Sequence, residues 1–561
     1  MKKTGAEIFV ECLKKENVEI VFGIPGGVLL PIFNVLYDAP FKFILTRHEQ
    51  GAAHMADGYA RATGRVGVCL ATSGPGATNL ATGLATANMD SVPVVAFTGQ
   101  VATHLVGNDA FQEADTTGVT RSITKHNFMV RDAKELARTI KEAFYIASTG
   151  RPGPVLVDIP VDVQRNSCEF VYPKEVKIRS YNPTYKGHPQ QIKKAAELIL
   201  KAKKPVIYAG AGVIISGASE ELRKLVDITG IPVTLTLLGM GAFPGDSDLF
   251  LGMLGMHGTF YANYAIQNSD LIIAVGARFD DRVTGKVETF APHAKIVHID
   301  IDPTSISKSV HADLPIVGDA KDVLGGLNAM LSGRADKGRL KEWKRIIDEW
   351  KKENPLTYRN DDDKLRPQYV IEKIYEVTGG DAIITTEVGQ NQMWSALFYK
   401  YRYPRQFISS GGLGTMGYGM PAAIGAKFGM PEKTVFDIAG DGSIQMNIQE
   451  LSVAVRDKVN VKIAVLNNGY LGMVRQWQQL FYDKRYSSVD LTGSPDFVKL
   501  AEAYGAVGIR VKTKEEVVPA LKKAIATDRP VIMDFQVEQE ENVFPMVPSG
   551  ASLHEILKGL A

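Results

Sequence analysis

The sequence predicts an α/β protein built from three doubly wound, parallel-sheet domains, and three observations carry this. Short apolar runs alternate with helix-length segments along almost the whole chain, which is the pattern of sheets covered by helices. The 561 residues are enough for three domains of ordinary size. Two polar stretches interrupt the alternation. One spans 166–189 and carries Pro173, Pro183 and Pro189; the other, 331–365, is charge-dense, with Trp343, Ile346, Ile347 and Trp350 at helical spacing before Asn360 and three aspartates. The expected domains are therefore 1–165, a Rossmann-like 190–330 and 366–545. The polar stretches are linkers, the second a surface helix followed by a loop, and 546–561 is a tail.

Composition excludes more than it assigns. A net charge of +2 provides no general field for nucleic acid or a membrane surface. The cysteines Cys12, Cys69 and Cys168 are scattered, with no CxxC pair, which suits a reducing compartment and argues against structural zinc. The N-terminus reads as an amphipathic helix without the apolar core of a signal peptide, and no apolar run is long enough to cross a bilayer. A cytoplasmic enzyme is the expectation.

Taken in chain order, the segments after the apolar runs hold the chemistry. Phe22 to Gly27 is a Gly-rich turn that includes Gly26. Phe43-Ile44-Leu45 reads as a strand, and Glu49 sits just past it at the start of a helix rich in small residues, Thr46 to Arg61. A glutamate there is also what any helix N-terminus favours. Ser73 to Asn79 is a second Gly-Pro turn. In the middle domain Ala209-Gly-Ala-Gly ends a strand but misses dinucleotide-fingerprint spacing. In the third domain Ala382 to Thr386 leads into Glu387-Val-Gly-Gln-Asn391, and Gln406 to Ser409 leads into Ser410 to Pro421. Thr434 to Gly440 runs into Asp441-Gly442-Ser443, and Val461 to Leu466 into Asn467-Asn468.

Asp441 and Asn468 lie 27 residues apart, room for one helix (apolar face Ile448 to Val455) and a return strand. A strand–helix–strand unit of that length brings both to neighbouring carboxyl ends of a parallel sheet, where such sheets bind ligands. Hard oxygen donors beside a Gly-rich turn suit Mg²⁺ holding a diphosphate. Either piece alone is a common turn.

The pair resembles the diphosphate-binding motif of the thiamine diphosphate enzymes, and the segment around Glu49 resembles their pyrimidine-binding region. Over essentially its full length the chain is similar to the catalytic large subunits of the acetohydroxyacid (acetolactate) synthase family. The more specific segments are Ala110 to Asp115, Gly150 to Asp158, Leu254 to Gly258, Ala274 to Gly285 and Gly472 to Trp477. The resemblance implies three cofactors: thiamine diphosphate, Mg²⁺ and FAD. It implies a reaction in which pyruvate is decarboxylated and its hydroxyethyl unit is transferred, as a carbanion equivalent, to a second 2-keto acid. Pyruvate as acceptor gives 2-acetolactate and 2-ketobutyrate gives 2-aceto-2-hydroxybutyrate, the route to branched-chain amino acids.

Residue by residue, the implied catalytic set is Glu49, which bonds the aminopyrimidine, with Gly26, Phe111 and Gln112. The acceptor site is Arg282, whose fork suits a carboxylate, and Trp477, whose face suits the extra methyl of 2-ketobutyrate. Thiamine diphosphate is expected at Glu49, Val388, Gly389, Gln390, Asn391, Gly414, Met416, Gly440, Asp441, Gly442, Ser443, Met446, Asn468, Tyr470, Leu471, Gly472, Met473 and Val474. The metal is expected at Asp441, Asn468 and the Tyr470 carbonyl. FAD is expected at Gly210, Ala211, Gly212, Thr236, Leu237, Met256, His257, Gly276, Arg278, Asp280, Arg282, Asp300, Ile301, Asp319 and Ala320. At least a homodimer is implied, with Glu49 of one chain facing Asp441 of its partner, and a separate regulatory subunit is compatible.

Four positions depart from the family's usual residues: Val161 for lysine, Asn391 for histidine, Ile24 for tyrosine and Tyr470 for an acidic residue. Glu49, Asp441 and Asn468 themselves keep the family's residues. Three alternatives stay open at this point: a flavin-dependent pyruvate oxidase, a flavin-free catabolic acetolactate synthase, and a non-catalytic protein that kept the fold.

Overall fold

A computed structural model describes residues 1–559. Three six-stranded sheets organise the chain, and every strand pair within them is parallel. Their strands are continuous apolar runs such as Gly67–Ala71, Leu271–Val275 and Thr434–Gly440, buried because helices cover both faces.

The first sheet runs, edge to edge, Lys42–Leu45, Ile20–Gly23, Gly67–Ala71, Val94–Gln100, Val155–Pro160, His126–Met129. The third runs Phe407–Ile408, Ala382–Thr386, Thr434–Gly440, Lys462–Asn467, Val531–Gln536, Val507–Val511. Counted within each domain, both have the strand order 2-1-3-4-6-5. The outline these domains share in sequence is thus a shared topology. The middle sheet runs Phe250–Met253, Val233–Leu235, Pro205–Ala209, Leu271–Val275, Lys295–Asp300, Leu314–Val317, the order 3-2-1-4-5-6 of a dinucleotide-binding sheet. In each sheet the order reverses beside its first strand, next to the third strand in the outer sheets and next to the fourth in the middle one, and ligands of doubly wound sheets bind in the crevice there.

The outer domains are locked together by two helices. Glu49–Thr63 begins with the His48 ring accepting the Gln50 N–H and ends at Gly64, left-handed at φ +77°. It packs on Gly419–Gly429 at backbone distance. A Cβ at Gly58 would lie 2.2 Å from Ala422 O, and one at Gly425 would lie 1.9 Å from Met55 O. The run of small residues is therefore an interhelical seam. Tyr418 donates to Asp57 across it, and Arg61 reaches the Ser409 carbonyl at 2.8 Å.

Three local expectations change. The segment before the second domain includes the strand Ser167–Glu169, antiparallel to Lys2–Thr4, because the chain returns past its own N-terminus. The helix Lys341–Glu353 is not wholly a surface helix: Trp343 and Ile347 are buried against the middle sheet, and Trp343 donates to Pro205 O at 3.1 Å. The helix between Asp441 and Asn468 is broken into a 3-10 stretch Ile444–Glu450 and an α-helix Leu451–Arg456, with a kink at Asn447 (φ −136°). Beyond Phe544 the tail folds onto the middle domain, where Val547 donates to Met256 O at 2.8 Å and Leu553 is buried. Among the described residues no helix is long and apolar enough to cross a membrane.

Candidate active site

The crevice of the third sheet opens between the ends of Ala382–Thr386 and Thr434–Gly440, so Glu387 to Gly389 face Asp441 across it. Asp441 is 1 % exposed and its Oδ2 has no hydrogen-bond partner. Burial pushes its carboxyl up to about 7. A buried carboxylate oxygen left unsatisfied is costly unless something charged meets it. Asn468, also buried, donates through Nδ2 to Gln390 Oε1 at 3.3 Å and accepts the Tyr470 N–H at 3.1 Å. The donor set of a carboxylate, an amide oxygen and a backbone carbonyl fits Mg²⁺, which takes oxygen ligands.

The loops around these two residues are cross-braced. Glu387 is fully buried and accepts from Gly417 N (2.7 Å), Met420 N (3.2 Å) and Ser443 Oγ (2.7 Å), which ties the loop carrying Met416 to the Asp441-Gly-Ser turn. Asp437 lies buried beside it, and burial holds both carboxyls above their usual range. Asn391 donates to Ile438 O at 2.8 Å, so its side chain serves the strand end. Gln390 also donates to Gln476 Oε1 at 2.9 Å, which fixes the helix Gly472–Phe481. A Cβ at Gly472 would lie 2.1 Å from Gln390 Oε1, so a larger residue there would displace the Gln390 amide. Gly414 and Gly417 adopt positive φ (+71° and +83°), and Gly417 lets Met446 and Asn447 pack against its backbone. Gly440, Gly442 and Leu471 sit on the same rim, where Leu471 Cδ2 would lie 2.6 Å from a Cβ at Gly442.

In the first domain Glu49 is 7 % exposed and accepts from Asn79 Nδ2 at 2.9 Å. Gly26 presses on Thr72, where a Cβ would meet Oγ1 at 2.1 Å. Gly74, at φ +60°, lies against the Gln112 backbone, and Gln112 is itself held at φ +58°, a conformation of the kind that gathers at functional sites. Glu49, Gly26 and Gln112 are thus joined through the loop 72–79, while the neighbouring Phe111 is 88 % exposed.

The third assembly is a cavity of about 430 Å³ at the switch point of the middle sheet. All fifteen residues expected to meet a flavin line it, from Gly210–Gly212 to Asp319 and Ala320. At its floor Gly212 donates to Gly276 O at 3.0 Å, and a Cβ at Gly210 would fall 2.3 Å from that oxygen. His257, in the wall, has a buried Nδ1 without a partner, and burial lowers its pKa to about 4. Burial likewise raises Asp300 to about 6. A mainly apolar crevice with the Arg278 cation and an unpartnered imidazole nitrogen fits a dinucleotide bearing an aromatic ring system.

The cavity continues to Val388, Gly389, Gly414, Met473 and Trp477 of the third domain. There the two acceptor candidates meet: the Arg282 guanidinium lies 5.8 Å from the Trp477 ring centroid. Trp477 Nε1 is buried and unpartnered. Glu49, Asp441 and Asn468 do not line this cavity. Met446 and Val474 are 55 % and 51 % exposed in the single chain, so they do not line it either.

Sequence reading did not single out Glu450, Asp437, Asp90 or Arg61 for the site. Asp90 accepts from Gly411 N and Gly412 N (3.0 and 2.7 Å) and pairs with Arg61. Asp437 lies within a strand and the other three in or beside helices, and only tertiary packing reveals what they meet.

Comparison with known proteins agrees with this architecture. Residues 3–119 match the thiamine pyrophosphate enzyme N-terminal TPP binding domain, 192–327 its central domain and 387–535 its C-terminal TPP binding domain. The chain is 52% identical over 562 residues to an acetolactate synthase of Mycobacterium bovis (99% of this chain, 91% of the relative). It is 48% identical to the acetolactate synthase isozyme 3 large subunit of Escherichia coli (99% and 98%). It is 51% identical to a probable acetolactate synthase large subunit of Methanocaldococcus jannaschii (99% and 95%). The chain belongs to the thiamine pyrophosphate enzymes and, within them, to the family of acetolactate synthase large subunits.

Proposed function

We propose that the chain is the catalytic subunit of an acetolactate synthase. It decarboxylates pyruvate and joins the remaining two-carbon unit to the keto carbon of a second 2-keto acid, giving 2-acetolactate from pyruvate and 2-aceto-2-hydroxybutyrate from 2-ketobutyrate. The observation that carries this reading is the Arg282–Trp477 pair on a cavity wall that runs into the third domain's Val388, Gly389 and Met473. An oxidase acting on one 2-keto acid has no use for a second carboxylate fork and aromatic face.

Thiamine diphosphate, when bound, supplies a carbanion centre that adds to the keto carbon and accepts the electron pair released with carbon dioxide. The protein's own groups do the rest. Asp441, Asn468 and the Tyr470 carbonyl would hold Mg²⁺, and the surrounding Gly440–Ser443 and Leu471–Val474 backbone would receive the diphosphate. Glu49, a buried carboxyl, would hydrogen-bond the pyrimidine ring and bias its proton placement toward the form that can act as a base. Met416, in the loop between Gly414 and Gly417, would pack against the cofactor. Arg282 binds the acceptor carboxylate in its fork, and Trp477 gives the acceptor's alkyl group an apolar face. The net reaction moves no electrons to an outside acceptor. FAD in the central cavity would therefore shape the site rather than exchange electrons.

A second copy of the chain completes the site in this reading. Phe111, Leu30, Met446 and Val474, 88 %, 62 %, 55 % and 51 % exposed, are apolar side chains uncovered in one chain near the proposed cofactor loops. Their burial against a symmetric partner accounts for them. The relatives named large subunits support a second, smaller partner. The full reading is tested by supplying the purified chain with thiamine diphosphate, Mg²⁺, FAD and pyruvate. Acetolactate and carbon dioxide in one-to-one ratio are expected. Acetyl phosphate or acetate with reduced oxygen or quinone would replace this reading with an oxidase.

A further inference from the structure

One buried acid in the third domain reaches into the first domain beside Glu49. Glu450 closes the 3-10 stretch Ile444–Glu450, nine positions after Asp441, and its side chain is fully buried. Its Oε1 accepts the His48 N–H at 2.8 Å and the Arg47 N–H at 3.1 Å, and Oε2 lies 3.2 Å from Arg47 N. Those two peptides are the chain's last steps before the helix that starts at Glu49. The first turn of that helix also lies on the same carboxylate, since a Cβ at Gly51 would fall 2.5 Å from Glu450 Oε1. A buried carboxylate keeps two charge-assisted bonds to backbone donors at a cost in desolvation that only a geometric constraint offsets. Glu387 does comparable work inside its own domain, whereas Glu450 spans two.

We infer that Glu450 is a positioning residue for the Glu49 carboxylate: it sets where the chain enters the helix Glu49–Thr63 and so where Glu49 stands relative to the cofactor's pyrimidine. The inference rests on the proposed role of Glu49. In the proposed dimer, the segment that supplies Asp441 to one site thereby holds Glu49 in register for the other site. The requirement is for an acceptor oxygen at the Oε1 position, not for negative charge. Burial is what chiefly raises the Glu450 carboxyl, to about 7, and a charge on Glu49 adds to it, so a second negative charge beside Glu49 is disfavoured.

Two variants separate geometry from charge. Glu450→Gln keeps side-chain length and one acceptor oxygen, while Glu450→Asp keeps the charge but withdraws the oxygens by one methylene. In each full-length variant, amide hydrogen exchange of the peptide containing Arg47 and His48 is measured without cofactor. Exchange of the thiamine diphosphate C2 proton is then measured in the loaded protein without substrate. Expected results are wild-type protection and C2 exchange within about threefold for Gln, against lost protection and C2 exchange slowed at least about tenfold for Asp. Cofactor Kd, which is carried mainly by the diphosphate end, should change less than threefold in both. Wild-type C2 exchange in Glu450→Asp, or a larger loss in Glu450→Gln than in Glu450→Asp, overturns the inference. Glu49→Gln serves as the reference: C2 exchange at the wild-type rate in that variant overturns the role of Glu49 itself, independently of Glu450.

Discussion

Adding one methyl group at Gly425 should drive the outer domains apart. A Cβ there would sit 1.9 Å from Met55 O, and real Cβ contacts essentially never fall below 3.0 Å, so one helix must move by about 1 Å. Both atoms belong to backbone or are fixed to it, in a seam where Met55, Ala56 and Ala422 are fully buried, so no side chain can rotate away. Overpacking of this kind costs about 3 kcal/mol at the upper end of its usual range, and replacing a helical glycine by alanine returns about 1 kcal/mol. The net loss of about 2 kcal/mol corresponds to a melting midpoint lowered by roughly 4–8 °C for a unit of domain size. Gly325, in the helix Ala320–Leu331, has nothing near its missing Cβ. Gly325→Ala should therefore raise the midpoint slightly. Differential scanning calorimetry of both variants decides the matter. A Gly425→Ala protein as stable as Gly325→Ala would refute the claim that the seam is held at backbone contact.

Further predictions follow the same logic. Glu49→Gln should lower acetolactate formation by about a hundredfold or more while thiamine diphosphate still binds, as steady-state rates and calorimetric titration would show. Glu49→Gln and Asp441→Ala chains, each inactive alone, should regain about a quarter of wild-type activity when unfolded, mixed and reassembled as a symmetric dimer; no recovery places both residues in one chain's site. Trp477→Leu should reduce the preference for 2-ketobutyrate over pyruvate by roughly tenfold, in line with the 1–3 kcal/mol carried by one methylene in an apolar pocket, and product ratios by mass spectrometry test this. Burial raises Asp158 to about 7, where it accepts from Thr98 and Gln100. The folded protein therefore binds a proton that the unfolded chain releases near pH 4, and this contribution to stability is lost as pH rises from there through 7. Asp158→Asn should gain stability relative to wild type over that window, and urea midpoints at pH 5 and pH 8 would show the divergence.

Much of this was legible in the residues. Apolar runs ending in Gly, Asp or Asn marked strand ends, and those before Glu387 and Asp441 flank the third sheet's switch point, with Asn468 on the next strand. Thr434–Gly440 appears as read, while the strand before Asn468 is shifted by one residue because Asn467 stays in the ladder opposite Gln536. The small residues from Gly51 to Ala62 signalled close packing, but not that Gly419–Gly429 would be the partner. The kink at Asn447 was invisible: Ile448 and Val455 keep apolar spacing while Asn447 turns to donate to Gly417 O. Glu450, Asp437 and Asp90 carry no local signature, because a buried acid is identified only by the distant backbone groups that meet it. Trp343 shows the converse, an aromatic at helical spacing whose buried side is met by Pro205, 138 residues away in sequence.

The most direct test of the central claim is competition between pyruvate and 2-ketobutyrate at equal concentration, with the full-length chain, thiamine diphosphate, Mg²⁺ and FAD. Both acetohydroxy acids are expected, with 2-aceto-2-hydroxybutyrate in excess and the excess dependent on Trp477. Formation of acetaldehyde, acetate or peroxide with neither carboligation product would contradict it.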